Sequence, residues 1–361
     1  MSASLQSWIY GLLPTGRPVE AWTLTGAGGL VLEAITYGGI VTRLIAPDCD
    51  GNQKDVVLGL GDLDSYLAGH PHFGAITGRV AGRITDATFR LDGKTFALAR
   101  NDPPNHLHGG VEGFDKKLWK ATPVDRSDGA PSLRLAYHSP DGEEGYPGAV
   151  DVTVTYTVTE DNTFLIETEA ITDRPTPFSL TNHSYFNLAG EAAGSIADHE
   201  LQVFADEFVV SGEHMTLLGR LESVTGNGND FRQPRRLGDA IPLLFKNHGD
   251  VYRLRGDDAP GQSPVLAARL VHPGSGRVLN VSTTEAYLQL YTAVSLDGSL
   301  VGKSGVPYGR HAGVCLECHG YPDGPNVPAL GDIILRPGHP QRHTTAYAFS
   351  TQPRRTHLPT D

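Results

Sequence analysis

Cysteine is nearly absent from this chain: Cys49, Cys315 and Cys318 are the only three in 361 residues. A disulfide framework needs more, so the fold has to rest on its core rather than on covalent staples. Long apolar runs are absent too. No window approaches the roughly 18 apolar residues of a membrane helix. The start, Met1 to Gly11, lacks the basic and apolar regions of a secretory signal; its short apolar patch stops at Pro14. A cytoplasmic location is therefore expected. Basic charge is in deficit, with 29 Lys and Arg against 41 Asp and Glu and a formal net charge of −12. With no basic stripe to offset that total, nucleic acids and anionic membranes are poor partners. An uncharged small molecule suits the balance. Helical periodicity is scarce as well, residues 62–68 being the one stretch that could make two turns.

What the chain has in quantity is β-alternation and turn residues. Gly (43) and Pro (25) together make 68 of 361 residues, spread throughout rather than clustered, as turns between many short strands require. Residues 151–159, DVTVTYTVT, place valines and Tyr156 on one face and threonines on the other. Similar runs recur at 30–37, 41–46, 133–138, 164–171, 203–210, 265–271, 278–283, 287–294, 333–335 and 344–349. Asp92-Gly93, Asp141-Gly142, Asp161-Asn162, Pro273-Gly274 and Asp297-Gly298 supply turn chemistry between runs. The pattern predicts an all-β sandwich of antiparallel strands, one domain over residues 1–361. Residues 219–237, polar and rich in Gly, Asn and Arg, are expected to form a rim or lid loop.

Two runs carry chemistry. Thr181-Asn182-His183-Ser184-Tyr185-Phe186-Asn187-Leu188 sets a histidine in an apolar and hydroxyl-bearing strand. Val314-Cys315-Leu316-Glu317-Cys318-His319 sets a carboxylate where a buried strand would not want one. One titratable acid and one titratable base suit proton transfer without a cofactor. A lone histidine among Tyr185, Phe186 and Leu188 is more often a hydrogen-bonded core residue, and an arbitrary glutamate more often lies on a solvated face. Apolar neighbours around Glu317 instead point to burial and a raised pKa. The same segment matches C-x-x-C-H, the haem-attachment pattern. Alternation, however, sends Cys315, Glu317 and His319 to one face and Cys318 to the other, which argues against two thioether bonds to one macrocycle. His106-Leu107-His108-Gly109-Gly110 could place two histidines on one strand face for a metal, but no carboxylate stands at a natural spacing beside them. Its glycines suggest a turn that lets a ligand approach. Arg79 and Arg83, in Gly78 to Ile84, fit either a sugar-hydroxyl clamp or a structural ion pair; the spacing is not that of a phosphate loop.

Taken in order, these segments resemble the galactose mutarotase (aldose 1-epimerase) family. The resemblance runs through residues 35–39, 55–59, 78–84, 105–110, 142–148 and 181–190, then Leu316-Glu317, 322–326 and 335–338. It implies a β-supersandwich with an open cleft and cofactor-free, metal-free interconversion of aldose anomers. His183 would then be the general acid on the ring oxygen and Glu317 the general base on the anomeric hydroxyl. Arg83 and His108 would hold substrate oxygens, and Asp250, in residues 248–252, would correspond to the family's substrate-binding aspartate. Gly82 stands where the family pattern has asparagine, and Cys318-His319 replaces the usual Thr-Gln. The expected partner is a monosaccharide, met by a monomer or homodimer. A non-catalytic carbohydrate-binding or regulatory protein, or an epimerase for another sugar or glycoside, is the alternative on the same fold.

Overall fold

The computed structural model describes residues 2–256 and 263–355. Strands dominate, as the alternation requires, and they assemble into three main antiparallel sheets. The nine-stranded sheet runs in the order Lys120–Pro123, Ser132–Ser139, Val150–Val158, Thr163–Thr172, Gln341–Thr351, Arg277–Thr283, Val265–His272, Glu200–Val203, Arg235–Arg236. A six-stranded sheet runs Tyr185–Phe186, Val314–His319, Tyr287–Tyr291, Val251–Leu254, Ala205–Ser211, Leu217–Ser223. The first five strands, from Ser4–Leu12 to Gln53–Asp55, form a sheet in sequence order.

The core lies between sheets because each presents one apolar face. From the six-stranded sheet come Phe186, Val314, Leu316, Cys318, Leu288, Leu290 and Tyr252. From the nine-stranded sheet come Val152, Val154, Tyr156, Leu279, Val281 and Tyr347. The threonine side of residues 150–158 faces away, except Thr157, which is buried and hydrogen-bonded to Ser132 at 2.8 Å. Tyr347 ties the layers by donating to the Leu316 carbonyl at 3.0 Å. The opposite face of the six-stranded sheet is different. Tyr185, Tyr291 and Cys315 pack into one satellite cluster and Val251, Tyr287 and Val209 into another. Between them this face carries Glu317, His319 and Gln289.

Local signals explain several details. Asp92-Gly93 joins Leu91 to its partner Lys94, both turn residues having positive φ (49° and 78°), the type I′ hairpin geometry. The expected short helix is Leu63–Leu67, capped by Asp62, whose carboxylate accepts the Ser65 N–H at 2.8 Å. One expectation needs correction. Residues 219–237 are not one loop: Leu217–Ser223 is an edge strand paired with Ala205–Ser211, and Arg235–Arg236 pairs with Glu200–Val203. Cross-strand pairing overrides the polar composition there. The apolar patch near the start is strand Ser4–Leu12, which leaves Trp8, Ile9 and Leu12 exposed on a sheet edge. No helix among the described residues is long and apolar enough to cross a membrane.

Candidate active site

His183 sits where the chain passes from one two-residue strand to the next. Thr181–Asn182 pairs with Ile76–Thr77, and Tyr185–Phe186 pairs with Val314–His319. Its backbone is fixed on both sides: the His183 N–H donates to Ala75 O and its carbonyl accepts from Gly74 N–H, each at 2.9 Å. The ring stacks on Tyr185 with centroids 5.0 Å apart and meets Tyr291 edge-on at 6.4 Å. Nδ1 lies 3.6 Å from Cys315 Sγ and Nε2 lies 3.5 Å from Glu317 Oε1. Glu317 reaches that point from the middle of its strand, opposite Gln289. Both residues are almost wholly inaccessible, at 4 % and 2 % exposure.

Burial sets the electrostatics. It pushes the Glu317 carboxyl up to about 8, partly opposed by the Arg83 guanidinium. It also drives His183 well below its ordinary range, assisted by the neighbouring His72. Both shifts have one cause, the cost of charge in a dry site. The pair therefore shares a single proton around neutrality, and burial favours its place on the carboxyl.

His108 joins the pair, its ring centroid 5.2 Å from that of His183. It does not share a strand face with His106, because φ of +50° at His108 breaks the alternation. His106 turns instead to Ala99 O and the Tyr146 hydroxyl, each at 2.8 Å, and is structural. Gly109 is required by close backbone packing of the chain on itself: a Cβ there would stand 1.8 Å from Gly78 O, at φ +86°. His108 Nδ1 accepts the Gly82 N–H at 3.1 Å, so its ring proton is on Nε2. His248 and His319 are opposite in sense, each placing Nδ1 against a carbonyl, Gly249 O at 3.1 Å and Gly320 O at 2.7 Å. Burial holds both near 4, so both are neutral and keep Nε2 as an acceptor.

His108, His183 and Glu317 bring ligand atoms within 4.8 Å of one another, close enough to hold a metal. The donor set does not fit one well. A metal on His108 Nε2 needs a proton on Nδ1, where the Gly82 N–H already points. The haem pattern fails too, since Cys315 and Cys318 lie on opposite faces in separate clusters.

The two arginines separate cleanly. Arg79 is buried and spends its guanidinium on Pro147 O, Gly148 O, Pro140 O, Ser139 Oγ and Thr176 Oγ1, all within 3.2 Å. It is neither a sugar clamp nor an ion pair. Arg83, paired to Asp102 at 2.7 Å, is the one whose charge reaches Glu317. Asp250 immediately precedes strand Val251–Leu254, and its carboxyl is pushed up to about 7 by burial, with Asn229 opposing. Its Oδ2 is buried without a hydrogen-bond partner. Sequence reasoning passed over His72 and Asp115, which form a 3.0 Å ion pair beside the cluster. The run His70-Pro71-His72 was the available signal.

Fold and site together define an all-β protein with a buried cluster of side chains equipped for acid–base chemistry. The aldose 1-epimerase family model matches residues 20–348. Human galactose mutarotase is 43 % identical over 350 residues, covering 96 % of this chain and 99 % of that protein. An aldose 1-epimerase of Escherichia coli is 34 % identical over 346 residues, covering 94 % and 97 %. An aldose epimerase homologue from C. elegans superposes with a TM-score of 0.83 at 27 % identity, over 97 % of this chain and 99 % of that one. The chain belongs to the aldose 1-epimerase family.

Proposed function

We propose that this protein is an aldose 1-epimerase that interconverts the α and β anomers of free D-galactose or D-glucose. The observation that carries this reading is the 3.5 Å contact between His183 Nε2 and Glu317 Oε1 in a water-poor site. The ring oxygen and the anomeric hydroxyl of a pyranose are borne by one carbon, so the groups that serve them must be neighbours. With the shared proton drawn from the Glu317 carboxyl to the imidazole, His183 gives it to the ring oxygen while the Glu317 carboxylate takes the proton of the anomeric hydroxyl. The bond from the anomeric carbon to the ring oxygen breaks, and the free aldehyde forms. Rotation about the adjacent carbon–carbon bond presents the other carbonyl face, and return of both protons closes the ring to the other anomer. Each positioned group contributes on the order of 10²–10⁴-fold. No electrons change hands, so the chemistry calls for no redox cofactor.

The other groups divide by hydrogen-bonding sense. His108 Nε2–H and the Arg83 guanidinium donate to sugar oxygens, and the unpartnered Asp250 Oδ2 accepts from a hydroxyl. A phosphorylated sugar fits poorly, because both terminal nitrogens of Arg79 are engaged within the protein and Asp102 already offsets the charge of Arg83. A binding protein without turnover would not need an acid and a base in contact. One chain supplies every group named, so a monomer suffices. Residues 1–361 form one domain in this reading, because the nine-stranded sheet draws on strands from residue 120 to residue 351. A cytoplasmic location agrees with three unpaired cysteines.

Polarimetry on freshly dissolved α-D-galactose and α-D-glucose tests the reading. The protein should accelerate mutarotation of at least one; a rate equal to the spontaneous one for both sugars overturns it.

A further inference from the structure

His72 stands against the catalytic pair without a part in the proton transfers above. Its ring is centred 4.8 Å from that of His108 and is stacked on His183 at 5.7 Å with an interplanar angle of 26°. The segment that carries it is laced to the His183 segment. Ala75 N–H donates to His72 O, Gly74 N–H to His183 O, Asn182 Nδ2 to Gly74 O, and the Tyr185 hydroxyl to Pro71 O, all within 3.0 Å. The side chain is held as firmly. Asp115, itself only 2 % exposed, takes His72 Nδ1 at 3.0 Å. Burial, the largest influence on Asp115, would raise its carboxyl, yet the hydrogen bond and charge of His72 keep it below the ordinary range. The aspartate is therefore ionised and accepts, and His72 Nδ1 carries the proton. The other ring nitrogen, Nε2, is left for a hydroxyl, which can both donate and accept.

Its position relative to the sugar follows from the roles of its neighbours. The His72 ring packs against the rings of His183 and His108, while Glu317 meets His183 at the Nε2 edge of its ring. His72 thus lies on the ring-oxygen side of the site, away from the anomeric hydroxyl. Beyond the ring oxygen the next pyranose atom is C5, and its substituent is the hydroxymethyl group of a hexose. Its side chain keeps 22 % exposure, so the ring borders space that a substrate can enter.

We propose that His72 is a substrate-binding residue whose Nε2 hydrogen-bonds to the C6 hydroxyl of a hexose. The site thereby ranks hexoses above their 6-deoxy and pentose counterparts. This rests on the assignment of His183 to the ring oxygen made above.

The test compares wild type with His72→Asn, a residue that tolerates the left-handed backbone at this position (φ 59°). The substrates are D-galactose, its 6-deoxy analogue D-fucose and L-arabinose, which lacks C6, with D-glucose and D-xylose as a second pair. One hydrogen bond predicts about a tenfold fall in kcat/KM for the hexoses and less than about twofold for the others. Asp115→Asn, which keeps the imidazole but loosens its hold, should show the same selectivity in weaker form, and it serves if His72→Asn does not fold. An equal loss on every sugar, or none on the hexoses, overturns the inference. If wild type accelerates no sugar at all, it is the epimerase reading that fails.

Discussion

Replacing Glu317 by glutamine keeps the shape of the side chain and removes its ability to take a proton. Activity and stability should then move in opposite directions. Burial raises this carboxyl from 4.5 to about 8. At 1.36 kcal/mol per unit, that difference of about 3.5 units makes the ionised form costlier in the folded protein by roughly 5 kcal/mol. The residue is 2 % exposed, so solvent screening removes little of this. Because the folded pKa lies above the unfolded one, the stability linked to this proton is fully present below 4.5. It is lost as pH rises through 8. Glutamine never ionises, so Glu317→Gln should match wild type near pH 5 and exceed it near pH 9, by up to about 5 kcal/mol in urea unfolding. Mutarotase activity should meanwhile fall on the order of 10²–10⁴-fold at every pH. A stability difference that is the same at both pH values would refute the burial argument. Activity within tenfold of wild type would refute the role of general base.

Three further outcomes follow from the same geometry. The pair needs its one shared proton, so kcat/KM should be flat from below pH 6.5 to about 8, where Glu317 gives its proton up, and fall tenfold per pH unit above; a rate that climbs through pH 9 would contradict this. Arg79→Met should cost on the order of 3 kcal/mol by leaving buried carbonyls unpaired, with the ranking of sugars unchanged; a change in sugar preference would make Arg79 part of the site after all. Exhaustive dialysis against EDTA should leave the polarimetric rate unchanged, because His108 presents an N–H rather than a lone pair to the cluster; loss restored by zinc would show that tautomer to be wrong.

Much of the architecture was written in local pattern. Alternation at 150–158, the Asp92-Gly93 turn and the Asp62 cap each concern residues a few positions apart, where sterics and short hydrogen bonds decide the outcome. Alternation also settled which face of Val314–His319 carries Glu317, and hence that Cys315 and Cys318 part company. The edge strand Leu217–Ser223 escaped notice because its polar residues form a strand only when Ala205–Ser211 is alongside. The two arginines of residues 78–84 looked equivalent; contacts up to 97 residues away made Arg79 a structural brace, whereas Arg83 pairs with Asp102.

The site divides in the same way. His183 and Glu317 could be named from their own segments, since a histidine and a carboxylate embedded in apolar strands are conspicuous in a linear reading. Their 3.5 Å separation, the single proton between them and the His72–Asp115 pair were not visible there. Those properties depend on distances between residues 134 and 43 positions apart, and on how completely other strands exclude water from them. A pKa is a property of surroundings, and the surroundings of Glu317 exist only once the sheets have closed.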